Sequence, residues 1–120
     1  MTKNKDTGNN GEEIAVQYLM NKGFEIISRN WQYLHRELDI VAQKGNILVI
    51  VEVKTRSAAS LISPIEAVTP RKQKLIISAA GTFIEKHNLD LEVRFDIVSV
   101  VYYNNSFQIE HIEDAFYPKA

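Results

Sequence analysis

The chain has 120 residues, no cysteine and a formal net charge of -1. The length suits one domain around one core. Without thiols there are no disulfides or thiolate metal sites, which fits a reducing cytoplasm, and without a strong positive charge any affinity for nucleic acid must come from a local patch. No apolar run approaches a membrane span, and the polar stretch 1–10 lacks the apolar core of a signal peptide. Residues 1–10 read as a flexible tail and 11–117 as a single domain.

Gly11 to Lys22 reads as the first helix, stopped by Gly23. At 100° per residue, Ile14, Ala15, Val16, Tyr18, Leu19 and Met20 form one apolar arc, and Glu12 falls inside it while Glu13 faces water. An inward Glu there is either a dipole-stabilised first-turn acid or a functional group. Phe24 to Tyr33 reads as a strand, with Trp31 as core packing, and Tyr33 to Arg36 as a turn. Glu37 to Ala42 is the next strand, joined by a hairpin at Lys44-Gly45 to a central strand from Ile47 to Arg56.

Ile47-Leu48-Val49-Ile50-Val51 is aliphatic throughout and reads as a strand covered on both faces. It runs straight into Glu52-Val53-Lys54-Thr55-Arg56. Glu52 and Lys54 share a face by the two-residue period. Pairing Gln43 with Asn46 sets Asp39 opposite Ile50, on that same face and diagonal to Glu52 at roughly 7–8 Å. Unpaired burial of these charges is costly. Either they form a plain salt-bridged pair at the strand mouth, or a cation and an anionic ligand compensate them.

Ser57 to Ser63 is a loop. Ser63-Pro64 and Thr69-Pro70 are both cap-then-proline starts, the first for a single turn and the second for a helix from Pro70 to about His87 with Asn88 as its stop. The first turn of that helix carries Arg71, Lys72 and Lys74, the wrong sign for a helix N-terminus. They are either solvated side chains or contacts for an anionic partner. Glu92 to Tyr103 and Phe107 to about Ile112 are the last two strands. His35, His87 and His111 are scattered and read as surface or capping residues. The order α, β, β, β, α, β, β contains one β-α-β crossover, so the expected fold is a mixed α/β sheet of about five strands flanked by helices.

Asp39, Glu52 and Lys54, with Glu12 from the first helix, converge on one region in this arrangement. Oxygen donors without Cys or useful His spacing suit Mg²⁺ or Mn²⁺. Such an ion can orient a water and stabilise charge in phosphodiester cleavage. Lys54 could position or deprotonate that water, while Arg56, Arg71 and Lys72 could hold flanking phosphates.

Asp39 followed by Glu52-Val53-Lys54 resembles the signature of the PD-(D/E)xK, restriction-endonuclease-like nuclease superfamily. A wider set is similar to the YraN-like bacterial family: Gly8-x-x-Gly11-Glu12-x-x-Ala15, Arg29-Asn30, Glu37-Leu38-Asp39, Val51 to Arg56, Glu66-Ala67-Val68, Lys72-Gln73 and Arg94-Phe95-Asp96. Arg36 stands where that family often has Gly, and Leu38 where the superfamily name has Pro. The resemblance implies a restriction-endonuclease-like fold and a Mg²⁺-dependent endodeoxyribonuclease, with Asp39, Glu52, Lys54 and Glu12 catalytic and the three acids as metal ligands. The set is also similar to archaeal Holliday-junction resolvases, which implies branched or repair-associated DNA as substrate and a homodimer. The alternative function is a non-catalytic nucleic-acid-binding or adaptor domain on the same fold.

Overall fold

A computed structural model describes residues 3–60 and 62–118, with residues 3–9 by backbone alone. The elements are α1 (Lys3–Asn21), β1 (Glu25–Tyr33), β2 (Arg36–Lys44), β3 (Ile47–Ser57), α2 (Pro64–Ala67), α3 (Pro70–His87), β4 (Glu92–Tyr103) and β5 (Ser106–Phe116). They build a five-stranded sheet in the order β1-β2-β3-β4-β5. β3 and β4 are parallel, joined through α2 and α3, and the other neighbours are antiparallel. Among the described residues no helix is long and apolar enough to cross a membrane.

The helices cover opposite faces because β3 alternates between two cores. Leu48 and Ile50 pack with Ile76, Ala79, Ala80 and Phe83 of α3. Val49 and Val51 pack with Ala15, Val16 and Leu19 of α1. The uninterrupted aliphatic run is therefore explained by burial on both sides, as expected of a central strand. Trp31 joins the α3 layer and meets Phe83 edge-on, with ring centroids 5.2 Å apart. α3 begins and ends on conventional caps: Thr69 Oγ1 accepts from the Lys72 N–H at 3.2 Å, and Asn88 closes the helix at φ 52°.

Several boundaries differ from expectation, among them β5, which runs on past Ile112 to Phe116. α1 begins at Lys3 and not at Gly11, so residues 3–10, expected as a flexible tail, continue the helix. Gly11 is a packing site within it: a Cβ there would run into Thr55 Cγ2 on β3. The β2–β3 turn is Gly45-Asn46, with Gly45 at φ 60°, and Lys44 pairs with Ile47. A positive φ at the first loop residue suits a type II′ turn, whose strict place for Gly moves the loop one residue along. Val41, not Asp39, thus lies opposite Ile50, and the ladder ends at Ile40–Val51, one residue short of Asp39 and Glu52. The displacement is even, so the expected faces of Glu52 and Lys54 survive it.

A second surprise lies between β4 and β5. Three residues of β5, Glu113 to Ala115, stand against Asp96 alone, since Phe95 pairs with Phe116 and Ile97 with Ile112. Asp96 is fully buried and holds this bulge: its carboxylate accepts the Asp114 N–H at 3.0 Å, two bonds from Arg94 at 2.9 Å each, and a 2.7 Å contact with His111 Nε2. Burial works to raise the Asp96 pKa, but the bonds from His111, Arg94 and Asp114 hold it below the usual carboxylate value. His111 also meets the Tyr18 hydroxyl at 2.9 Å. It is therefore an interior link between α1, β4 and β5, and not the surface or capping residue expected. The β4–β5 register places His111 opposite Val98 and so diagonal to Asp96 on one face, and the bulge beyond Ile112 adds the Asp114 N–H to the same carboxylate.

Two outcomes follow for urea unfolding. In the wild-type background Gly11→Ala destabilises, because the collision with Thr55 outweighs the helix-propensity gain of about 1 kcal/mol. In a Thr55→Ser background, which lacks the offending methyl, the same change stabilises. Asp96→Ala lowers stability by roughly 3–5 kcal/mol, the cost of stranding its buried partners.

Candidate functional site

β2 and β3 stay paired as far as Ile40 and Val51, and then part. Beyond that point the Val53 N–H has no strand partner and instead donates to Asp39 Oδ2 at 2.9 Å. Leu38 and Ile40 should share a face, yet Leu38 packs in the α3 layer and Ile40 in the α1 layer. The strand turns over at Asp39. Its neighbour turns with it, since Asn30, lying between the Arg29–Ile40 and Trp31–Leu38 pairs, is left-handed at φ 50°. Asp39 consequently sits at the end of the sheet, where side chains from both layers can reach it.

From the α3 side comes Glu52, whose side chain is 8% exposed. Its Oε2 lies 3.6 Å from Lys54 Nζ and 3.6 Å from Lys72 Nζ. Burial pushes the Glu52 pKa up to about 7, with further raising from the charge of Asp39 and from a hydrogen bond shared with it, while Lys72 and Lys54 pull it back. From the α1 side comes Glu12. Its pKa is also raised, by burial first and by Asp39 second, although Asn30 hydrogen-bonds the carboxylate. Glu12 Oε1 is buried without a hydrogen-bond partner among the described residues.

The expected residues Glu12, Asp39, Glu52 and Lys54 therefore meet at one corner, electrostatically coupled through Asp39. Lys72, expected to hold flanking phosphates, stands beside Glu52 itself. The clue was the unfavourable charge at the start of α3. Arg71 is exposed in the same turn. Arg56 lies apart: its guanidinium is bound by Glu110 at 2.9 Å and by the Ser60 carbonyl at 3.2 Å, tying the end of β3 to β5 and the following loop. Asn30, whose side chain holds the Glu12 pKa down against burial, was missed as a site residue because a left-handed turnover inside a strand has no periodic signal.

A sharp distinction separates this corner from the Asp96 network. Asp96 has every lone pair directed at a donor, whereas Glu12 and Glu52 are carboxylates crowded against a third with too few donors. Such crowding is relieved by a proton or by a cation. Among the described residues no three acidic or histidine groups already stand in a closed ligand cage. A hard ion that keeps most of its waters needs only one or two carboxylates. Asp39 and Glu52 could supply these, with the orphaned Glu12 oxygen behind them.

The family model described as "Uncharacterised protein family UPF0102" matches residues 11–100. The chain belongs to this family. Among its similar relatives, a UPF0102 protein of Flavobacterium psychrophilum is 47% identical over 117 residues, covering 98% of each chain. One from Bacteroides thetaiotaomicron is 48% identical over 118 residues, again 98% of each. One from Parabacteroides distasonis is 45% identical over 117 residues, 98% of this chain and 97% of its own. The matched segment contains all four residues of the corner as well as Lys72 and Asp96.

The raised Glu52 pKa fixes the sign of a pH effect. A folded-state value of about 7 against 4.5 means that the folded state holds its proton longer than the unfolded one. Stability should therefore fall as pH rises from about 4.5 to 7, by an amount on the order of 3 kcal/mol. Glu52→Gln, which cannot ionise, should remove most of that decline. Urea titrations of both proteins at pH 5 and pH 8 measure it, and equal pH slopes would contradict the assignment.

Proposed function

We propose that this protein is a Mg²⁺- or Mn²⁺-dependent endonuclease of the restriction-endonuclease-like kind, hydrolysing phosphodiester bonds in DNA. The observation that carries the reading is the Asp39–Glu52 pair. Two acids from diverging strands share a poorly hydrated corner, and an ammonium from the second residue after Glu52 stands 3.6 Å from it. A five-stranded mixed sheet with a helix on each face and the acids at the end of its central strand is what that fold would present.

In this reading a divalent cation, when bound, supplies Lewis acidity for a phosphate oxygen and an attacking water. Asp39 and Glu52 would hold it, at a corner where burial first and the charge of Asp39 second raise the Glu52 pKa. Asp39 is kept in place by the Val53 N–H, which donates to its Oδ2 at 2.9 Å. Glu12 borders a polar hollow lined also by Asn10, Glu13, Arg29 and Asn30 and can accept a hydrogen bond from the attacking water. Lys54 projects from β3, carboxylate-bound and part-exposed, and offsets negative charge on the reacting phosphate. Branched or repair-associated DNA as the substrate, and action as a homodimer in the cytoplasm, belong to the same proposal.

Cleavage of a four-way junction and of a linear duplex, with Mg²⁺ or Mn²⁺, tests it. Wild type should cut in a metal-dependent manner. Asp39→Ala and Glu52→Ala should each lose on the order of 100-fold or more, since these two carboxylates would hold the cation that activates the water. Calorimetric titration with Mn²⁺ should show tighter binding at pH 8 than at pH 6, because the ion must displace the Glu52 proton. Activity that survives both substitutions would end the proposal. DNA binding without cleavage would favour an adaptor on the same fold.

A further inference from the structure

α3 delivers a second lysine to the corner. Lys72 Nζ stands 3.6 Å from Glu52 Oε2, the same distance from the same oxygen as Lys54 Nζ. Its backbone is fixed, since the Lys72 N–H is the donor that the Thr69 cap receives. Its side chain is not confined: at 39% it is the more exposed of the two lysines, and it leaves the protein from the first turn of a helix. A cation at that position opposes the helix dipole. No acidic residue in the first turn offsets it. Two ammonium groups thus stand 3.6 Å from one carboxylate oxygen, and Lys72 is the one of the pair with the freer, more exposed side chain.

We propose that Lys72 is a substrate-phosphate clamp. In the free protein its ammonium balances Glu52. With a phosphodiester in the site it turns to a non-bridging phosphate oxygen, where a compact charge on a flexible stem can follow a backbone that varies in position. The inference rests on the phosphodiester-cleaving reading of the same corner and extends it from the strand lysine to one on the helix. Lys54 is carried by β3 and Lys72 by the α3 layer packed over that face, so the two ammonium groups reach Glu52 from different elements. The neighbouring exposed Arg71 extends the positive edge along the same turn.

The test uses the whole protein and a fluorescent four-way DNA junction, with binding followed across a range of salt in EDTA and in Ca²⁺. Lys72→Ala should weaken binding and reduce the slope of log affinity against log salt by about 1, the signature of one lost phosphate contact. Lys72→Arg should retain both. Mn²⁺ binding by Lys72→Ala, read by calorimetry, should be as tight as in wild type or tighter, because a competing positive charge is gone from beside Glu52. Lys72→Ala with wild-type affinity and salt slope overturns the clamp, even where wild type cuts DNA. Loss of Mn²⁺ binding in that variant also overturns it, since Lys72 would then be a prop for the acids. A wild type that binds the junction but never cuts it defeats the nuclease reading alone, and affinity and slope still decide Lys72. A wild type that binds no DNA overturns both.

Discussion

The rest of the molecule is arranged around a repulsion. Asp39 and Glu52 are two acids held near each other in a corner with little water, so that Glu52 keeps its proton to about pH 7. A stable protein has no need of such a contact, and hydrophobic residues of similar size would relieve it. What sustains it is the surrounding packing: β3 is buried on both faces up to Val51, so the position of Glu52 is set by a rigid aliphatic segment. The acid cannot move away without disturbing the ladder to β4, where Glu52 pairs with Ile97.

The turnover at Asp39 makes the corner possible. In a flat, regular strand the α1 and α3 layers would be separated by the sheet, and Glu12 could not sense the acid that Glu52 senses. With β1 and β2 both turning over near Asn30 and Asp39, one carboxylate is shared between the layers. The cost is local: β2 gives up a backbone bond to β3, and the Asp39 carboxylate takes over the stranded Val53 N–H. Gly11 contributes from the other side by letting α1 lie close enough to β3 to bring Glu12 within range.

Asp96 shows how the same chain treats a buried acid when nothing further is asked of it. Arg94, His111 and the Asp114 N–H meet both of its oxygens, and its pKa is driven down where that of Glu52 is driven up. The network joins α1, β4 and β5 through Tyr18 and His111. Burial alone therefore does not mark a functional acid. The discriminating feature is whether donors satisfy it, and at the corner they do not.

By itself the sequence determined the elements, because their signals are local: a two-face aliphatic run for β3, proline-capped starts for α2 and α3, and a 3.6-residue period for the helices. It also determined that Glu52 and Lys54 share a face, since alternation along a strand needs no knowledge of the partner. Tertiary structure decided what lies across from them. A Gly45-Asn46 turn set a register whose ladder ends at Ile40–Val51, just short of Asp39 and Glu52, a turnover at Asp39 joined two layers, and α1 ran back to Lys3 through a stretch that composition alone reads as a tail. It likewise committed Arg56 to Glu110 and brought Lys72 to Glu52. These outcomes depend on contacts between residues distant in the chain, whose geometry is set by register, bulge and packing together, and none of those leaves a period in the sequence to be read.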